Sequence, residues 1–369
     1  MGGLASSGEG VDSTVRLLVD ELAGNGSVAA VGLFGSWSRY GGSGAVDLLV
    51  VDRSGVDFEY REFLVRDEVG LDLDWIPWGW VGEVVSPEVD QRLRESVILY
   101  DPDGLLERAR GFVSRNFRKP GRVEVRTEGY LTMAEMYLSR ASSAYTRGDL
   151  GTAVLYADTS LMPLGYTLMD VAGIPITRGS FVWGLRRAGE RLRRLDLYRE
   201  ILVGARLSKL SARGVRDLRG LFSGIWRGVV EFFMENWFVV EGLHDRLRRD
   251  ISYLSDTALR GMVLARVDEM VGGHALVEAT VYMRSWLLPL LEGYAWVVAV
   301  RRGDKFDYPS LLRVVGGSGE GNGVLDGSLL VLGLGGLEEV EVGRGIDGVR
   351  SLIERVRGDR RGLIRGFVG

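Results

Sequence analysis

Two short apolar runs, residues 28–34 and 46–51, flank a stretch rich in glycine and serine. Their length and bounding turn residues predict strands. Ahead of them, Val11, Val15, Leu18, Val19 and Leu22 recur at helical spacing, and Gly24-Asn25-Gly26 ends that helix. Residues 58–65 read as a further extended piece or short helix. Gly70-Leu71-Asp72-Leu73-Asp74-Trp75-Ile76-Pro77 alternates acid and apolar side chains, so Asp72 and Asp74 share one strand face and Leu71, Leu73 and Trp75 the other. A short strand at 97–100 and a helix over 105–117 close this region. Lys119-Pro120-Gly121 is the strongest boundary signal in the chain.

Beyond Pro120 the period becomes helical. Tyr130, Met133, Ala134, Tyr137, Leu138 and Ala141 share a face, Arg147-Gly148 stops that helix, and Asp149 is placed to cap the next. The second stripe runs from Leu150 to Leu168 with Pro163 inside it, and Gly173 and Pro175 end it. A basic helix follows over 181–197; its arginines read as a solvated face, the alternative being contact with an acidic polymer or a phosphate. Helical patterning continues to Val300, with Trp226, Trp237, Trp286 and Trp296 in apolar surroundings that predict core positions. No repeat of fixed period is evident. Residues 315–323 are glycine-rich, 329–342 read as two short extended runs, and Ile346, Val349, Ile353 and Val356 give a last helix. The expectation is an α+β chain: a small mixed-sheet domain at 1–118, a helical bundle at 123–310, and a glycine-rich α+β appendage at 311–369.

Composition narrows the chemistry. The chain has 369 residues, enough for two or three domains with ample core. A net charge of −4 argues against bulk electrostatic binding to nucleic acid. With no cysteine, disulfides, thiolate metal sites and cysteine nucleophiles are excluded. The only histidines, His244 and His274, are too far apart in sequence to suggest a zinc site. The most apolar window, residues 286–300, is interrupted by Pro289 and Glu292 and falls short of the ~20 residues a span needs. No basic and apolar leader opens the sequence, so a cytoplasmic, membrane-free protein is expected. Scarce Asn and Gln with abundant Arg, Glu and Val match a thermophilic tendency.

The glycine-serine stretch is where chemistry concentrates. A strand entering Gly35-Ser36 and a helix start offers backbone N–H groups to phosphate oxygens. Asp47, near the start of the next strand, can hold Mg²⁺ against the same phosphates. Gly35-Ser36 followed by Asp47-Leu48-Leu49-Val50 resembles the signature of the polymerase-β-like nucleotidyltransferase superfamily, including its kanamycin-nucleotidyltransferase and minimal nucleotidyltransferase branches. The later helix pair around Tyr145–Leu155 also looks like the bundles appended to such domains.

The resemblance implies that Gly35 and Ser36 hold the β- and γ-phosphates of an NTP, that Arg39 neutralises a phosphate oxygen, and that Asp47 binds Mg²⁺ or Mn²⁺. By the same comparison Asp72 supplies the third carboxylate, beside the acceptor hydroxyl, with Asp74 the nearby second choice for metal or base. Trp37, Trp75, Trp78 and Trp80 are candidates to stack on a base or line an acceptor pocket, or else to pack in the core. The pattern departs at one position: Ala45 stands where the first acid belongs, and a methyl group binds no metal. Two functions follow. One is nucleotidyl transfer to an acceptor hydroxyl on a small molecule, protein or RNA. The other is a catalytically degenerate nucleotide- or partner-binding module, with the bundle available for homo-oligomer formation.

Overall fold

The computed structural model describes residues 8–35, 44–207, 210–317, 322–334 and 338–368. Five strands form one mixed sheet in the order β3-β4-β2-β1-β5. They are β1 (Val28–Phe34), β2 (Val46–Asp52), β3 (Tyr60–Arg66), β4 (Val69–Pro77) and β5 (Val97–Tyr100). β2 runs antiparallel to β1 and parallel to β4, and β3 returns against β4 as a hairpin. The hairpin turn is Asp67-Glu68, both with positive φ (49° and 64°). Left-handed backbone at both central residues matches the twist of the strands, although glycine or asparagine usually supplies it. Thr14 Oγ1 donates to Asp67 Oδ2 at 3.1 Å and steadies the turn.

The alternation of β2 and β4 divides two cores. Val46, Leu48, Val50, Leu71, Leu73 and Trp75 pack with helix α1 (Gly8–Gly24) on one face. Leu49, Val51 and Ile76 pack on the other, with the short helix α2 (Asp90–Glu95) and α3 (Leu105–Asn116). β4 therefore lies inside the sheet, and its acidic face is not an open edge.

The chain clusters into two compact units. One comprises Met1–Phe117 together with Leu243–Arg266; the other comprises Arg118–Gly242 and Val267–Gly369. Among the described residues, no helix is long and apolar enough to cross a membrane.

The second unit opens on α4 (Pro120–Thr146), with proline at its first turn, where no N–H is needed. It pairs with α5 (Leu150–Ala172), which Asp149 caps by accepting from Thr152 N at 3.0 Å and which Gly173 ends in the left-handed region. Pro163 is accommodated inside α5. The basic segment is two helices, α6 (Phe181–Arg191) and α7 (Leu195–Gly204), broken at Arg193 with φ 55°. Three of its arginines are engaged: Arg186 pairs with Glu190, Arg187 lies over the Trp183 ring, and Arg194 pairs with Asp196 and Asp359. Along the chain there follow α8 (Ala212–Glu235), α9 (Trp237–Glu241), α10 (Asp245–Leu254), which belongs to the first unit, α11 (Thr257–Gly272), α12 (Leu276–Arg302) and α13 (Leu311–Gly316). Trp226 and Trp286 are buried against each other, ring centroids 5.5 Å apart.

Although no fixed period marks the sequence, the second unit repeats a sequence of elements. α5 and α12 each contain proline, end on a left-handed glycine (Gly173, Gly303) and lead through a 3-10 turn into a helix, α6 or α13. The start of each long helix caps the other's short helix. Glu278 of α12 accepts from Val182 N and Trp183 N at 3.0 and 3.1 Å. Thr152 and Asp149 accept from Leu312 N and Arg313 N at 2.8 and 3.2 Å. The same two positions of α6 and α13 are held, which orphan N–H groups at a helix start require.

The tail differs from its expected α+β form. The runs read as extended at 329–342 belong to α14 (Asn322–Leu332) and to the start of α15 (Glu339–Phe367). Short apolar runs do not distinguish strand from buried helix. Here α14 packs on α8, and α15 lies along α4 and α5.

Candidate functional site

β1 ends at Phe34, and Gly35 turns the chain with φ +74°. Phe34 lies opposite Asp47 in the antiparallel ladder, so the Asp47 carboxylate folds over Gly35. A Cβ on Gly35 would collide with Asp47 Oδ2. Glycine is thus required twice, for its backbone angle and for the close approach. Gly35→Ala is expected to cost about 1–3 kcal/mol in chemical denaturation, from left-handed strain plus displacement of the carboxylate. An unchanged midpoint would refute this packing.

In the parallel ladder Asp47 lies directly opposite Asp72, and Leu49 opposite Asp74. Asp47, Asp72 and Asp74 therefore share one face of two adjacent strands, as the alternation predicts. The Asp47 carboxyl is pushed up to about 7, by burial first and then by the charges of Asp72 and Asp74, with Arg61 opposing them. Its neighbours differ from one another. Asp74 is buried and held by two arginines, Arg61 Nε at 2.8 Å and Arg92 Nη1 at 3.0 Å. Burial alone would raise Asp74, but the two guanidiniums outweigh it and hold the carboxyl below its ordinary value. Arg92 also binds Glu59 at 2.7 Å. Asp72 instead accepts from the Tyr253 hydroxyl at 3.0 Å.

Tyr253 comes from α10, whose segment belongs to the first unit. α10 packs on β3, and the Arg249 guanidinium lies 3.9 Å from the centre of the Tyr60 ring. Tyr60 in turn stacks on Trp75 at 5.5 Å and donates to Asp52 at 3.3 Å. No sequence signal ties Tyr253 to Asp72, 181 residues away; the polar spacing of α10 marks a surface helix and no more.

Ala45 precedes β2 on the face of Asp47, beside Gly70. A Cβ built on Gly70 would meet Phe63 Cζ at 3.0 Å and Ala45 Cβ at 3.6 Å. Where the resemblance places a further acid, this chain has small residues beside a buried phenyl ring. Among the described residues, no three His, Cys, Asp or Glu side chains form a group able to hold a metal ion. Ser36, Trp37 and Arg39 lie outside the described residues.

The other tryptophans separate. Trp75 is buried in the stack, its Nε1 donating to Glu62 at 3.1 Å. Trp78 is half exposed and, with Trp80, Arg53 and Arg108, lines an open cleft of about 630 Å³. That cleft sits at the Asp52 and Pro77 ends of β2 and β4, away from Asp47 and Asp72.

No protein-family model and no curated protein matches the chain. Among solved structures, a nucleotidyltransferase-like protein from Exiguobacterium sibiricum 255-15 matches over 80% of this chain and 81% of its own, with 12% identity and a TM-score of 0.32.

Proposed function

We propose that the first unit binds a nucleoside triphosphate with one divalent cation and transfers its nucleotidyl group to an acceptor hydroxyl. The observation that carries this reading is the parallel register of Asp47 with Asp72 beside the left-handed Gly35 turn. Two hard carboxylates suit Mg²⁺, which is usually held by one or two carboxylates plus substrate phosphates and water. The raised Asp47 carboxyl fits too, because burial first and then the charges of Asp72 and Asp74 disfavour its bare anion, and a bound cation would offset both.

In this reading Asp47 and Asp72 hold Mg²⁺ or Mn²⁺, and Gly35, Ser36 and Arg39 bind the β- and γ-phosphates. The bound ion would polarise the transferred phosphoryl group and ease ionisation of the acceptor. The acceptor oxygen attacks the α-phosphorus, forming a new P–O bond as the bond to pyrophosphate breaks. Asp72 takes the acceptor's proton. Asp74 serves by position only, since its charge is matched by Arg61 and Arg92.

A second reading, nucleotide binding without transfer, is favoured by Ala45 and by the double ion pair on Asp74. One assay separates the two. Incubation with α-labelled NTPs and Mg²⁺ or Mn²⁺ is expected to give labelled product or self-labelling, reduced at least ~100-fold in Asp47→Ala. Transfer that survives Asp47→Ala would sink the site. NTP-dependent thermal stabilisation without transfer would favour the binding module.

A further inference from the structure

We propose that Tyr253 is a positioning residue for Asp72, so that a helix reached 181 residues later in the chain sets the site's affinity for its cation. The inference rests on the reading of Asp47 and Asp72 as cation ligands, and adds a residue and a segment that the sequence pattern does not contain.

The geometry is specific. The Tyr253 hydroxyl donates to Asp72 Oδ2 at 3.0 Å. A carboxylate fixed by a donor on one oxygen has its rotation arrested, and outer hydrogen bonds of this kind orient metal ligands. Tyr253 is itself buried, on the last turn of α10. That helix has an independent fastening, the Arg249 guanidinium over Tyr60, which faces away from the acidic residues because Tyr60 belongs to the α1-side core. Asp245 holds Arg249 in turn, Nε to Oδ2 at 3.0 Å. The charged groups around Tyr253 and Asp72 include Asp47, directly opposite Asp72, and Arg61 and Asp74, with Asp250 of α10 near Arg61. Docking of α10 and orientation of Asp72 therefore use different residues of one helix and can be perturbed separately.

The test is Mn²⁺ alone, titrated into the full chain and followed by electron paramagnetic resonance of the free ion, with thermal unfolding measured in parallel. Tyr253→Phe keeps the ring and removes the hydroxyl; its Mn²⁺ affinity is expected to fall by about 10–100-fold. Arg249→Met loosens the other fastening and leaves the hydroxyl in place; its Mn²⁺ affinity is expected to match wild type even if its Tm falls. Equal affinities for wild type and Tyr253→Phe would overturn the inference and leave the cation reading standing. An equal loss in Arg249→Met would also overturn it, since general docking would then explain the effect. A wild-type chain that binds no Mn²⁺ would defeat the cation reading itself, and the role of Tyr253 with it.

Discussion

Asp47→Asn is expected to make the cation-free chain more stable at pH 8, by about 2–4 kcal/mol, while changing little at pH 4. The folded chain holds the Asp47 carboxyl at about 7 against an ordinary 3.8, because burial and then Asp72 and Asp74 disfavour the charged form. Folding thus favours the protonated state. The contribution of this group is fully present below about pH 4 and is lost as pH rises through about 7. Asparagine has no proton to lose and is spared that loss. Urea denaturation in EDTA at several pH values measures the difference. Adding Mg²⁺ should raise wild-type stability at pH 8 and leave the Asn variant unmoved. A variant less stable than wild type at pH 8 would show that the carboxylate is held by favourable contacts, contrary to the repulsion described.

The second large effect is in the helical unit. Asp170→Ala is expected to cost about 3–5 kcal/mol in denaturant unfolding, because it strands a buried guanidinium. Arg126 Nε and Nη2 reach the two carboxylate oxygens of Asp170 at 2.9 and 2.8 Å, a fork that joins α4 to α5, and both side chains are only 4% exposed. Replacing both partners, Arg126→Met with Asp170→Leu, should recover most of the loss, since the penalty lies in the uncompensated charge. A single-variant cost below about 1 kcal/mol would mean that water reaches the pair. The surface pairs are expected to behave differently: Arg186–Glu190, both well exposed, should be worth under ~1 kcal/mol.

How much of this was legible depends on whether the signal is local. The strands carrying Asp47 and Asp72, the cap at Asp149 and the stop at Gly173 all announce themselves through nearby residues, and each is where the pattern puts it. The shared face of Asp72 and Asp74 follows from period two. What placed Asp72 opposite Asp47 was the parallel register, which sequence spacing does not specify. Arg61 was missed as a partner of Asp74 because the β3–β4 hairpin turns on Asp67-Glu68, a pair without the glycine that marks such turns, and Arg92 because it reaches Asp74 from α2 with no local pattern to say so. Tyr253 lacked any signal, since a contact across 181 residues leaves no periodicity. In the tail, Leu329-Leu-Val-Leu332 is too short and too uniformly apolar for its period to tell helix from strand.

The split of the first unit into Met1–Phe117 and Leu243–Arg266 bears on how the protein is made. At ordinary translation rates of about 5–20 residues per second, the ribosome needs on the order of ten seconds to go from Phe117 to Tyr253. For that interval the nascent sheet carries Asp72 without its tyrosine partner and β3 without α10. A gene cut after Phe117 would fix the protein permanently in that state, and a functional fragment would have to carry the later helix on the same chain or receive it from a second one.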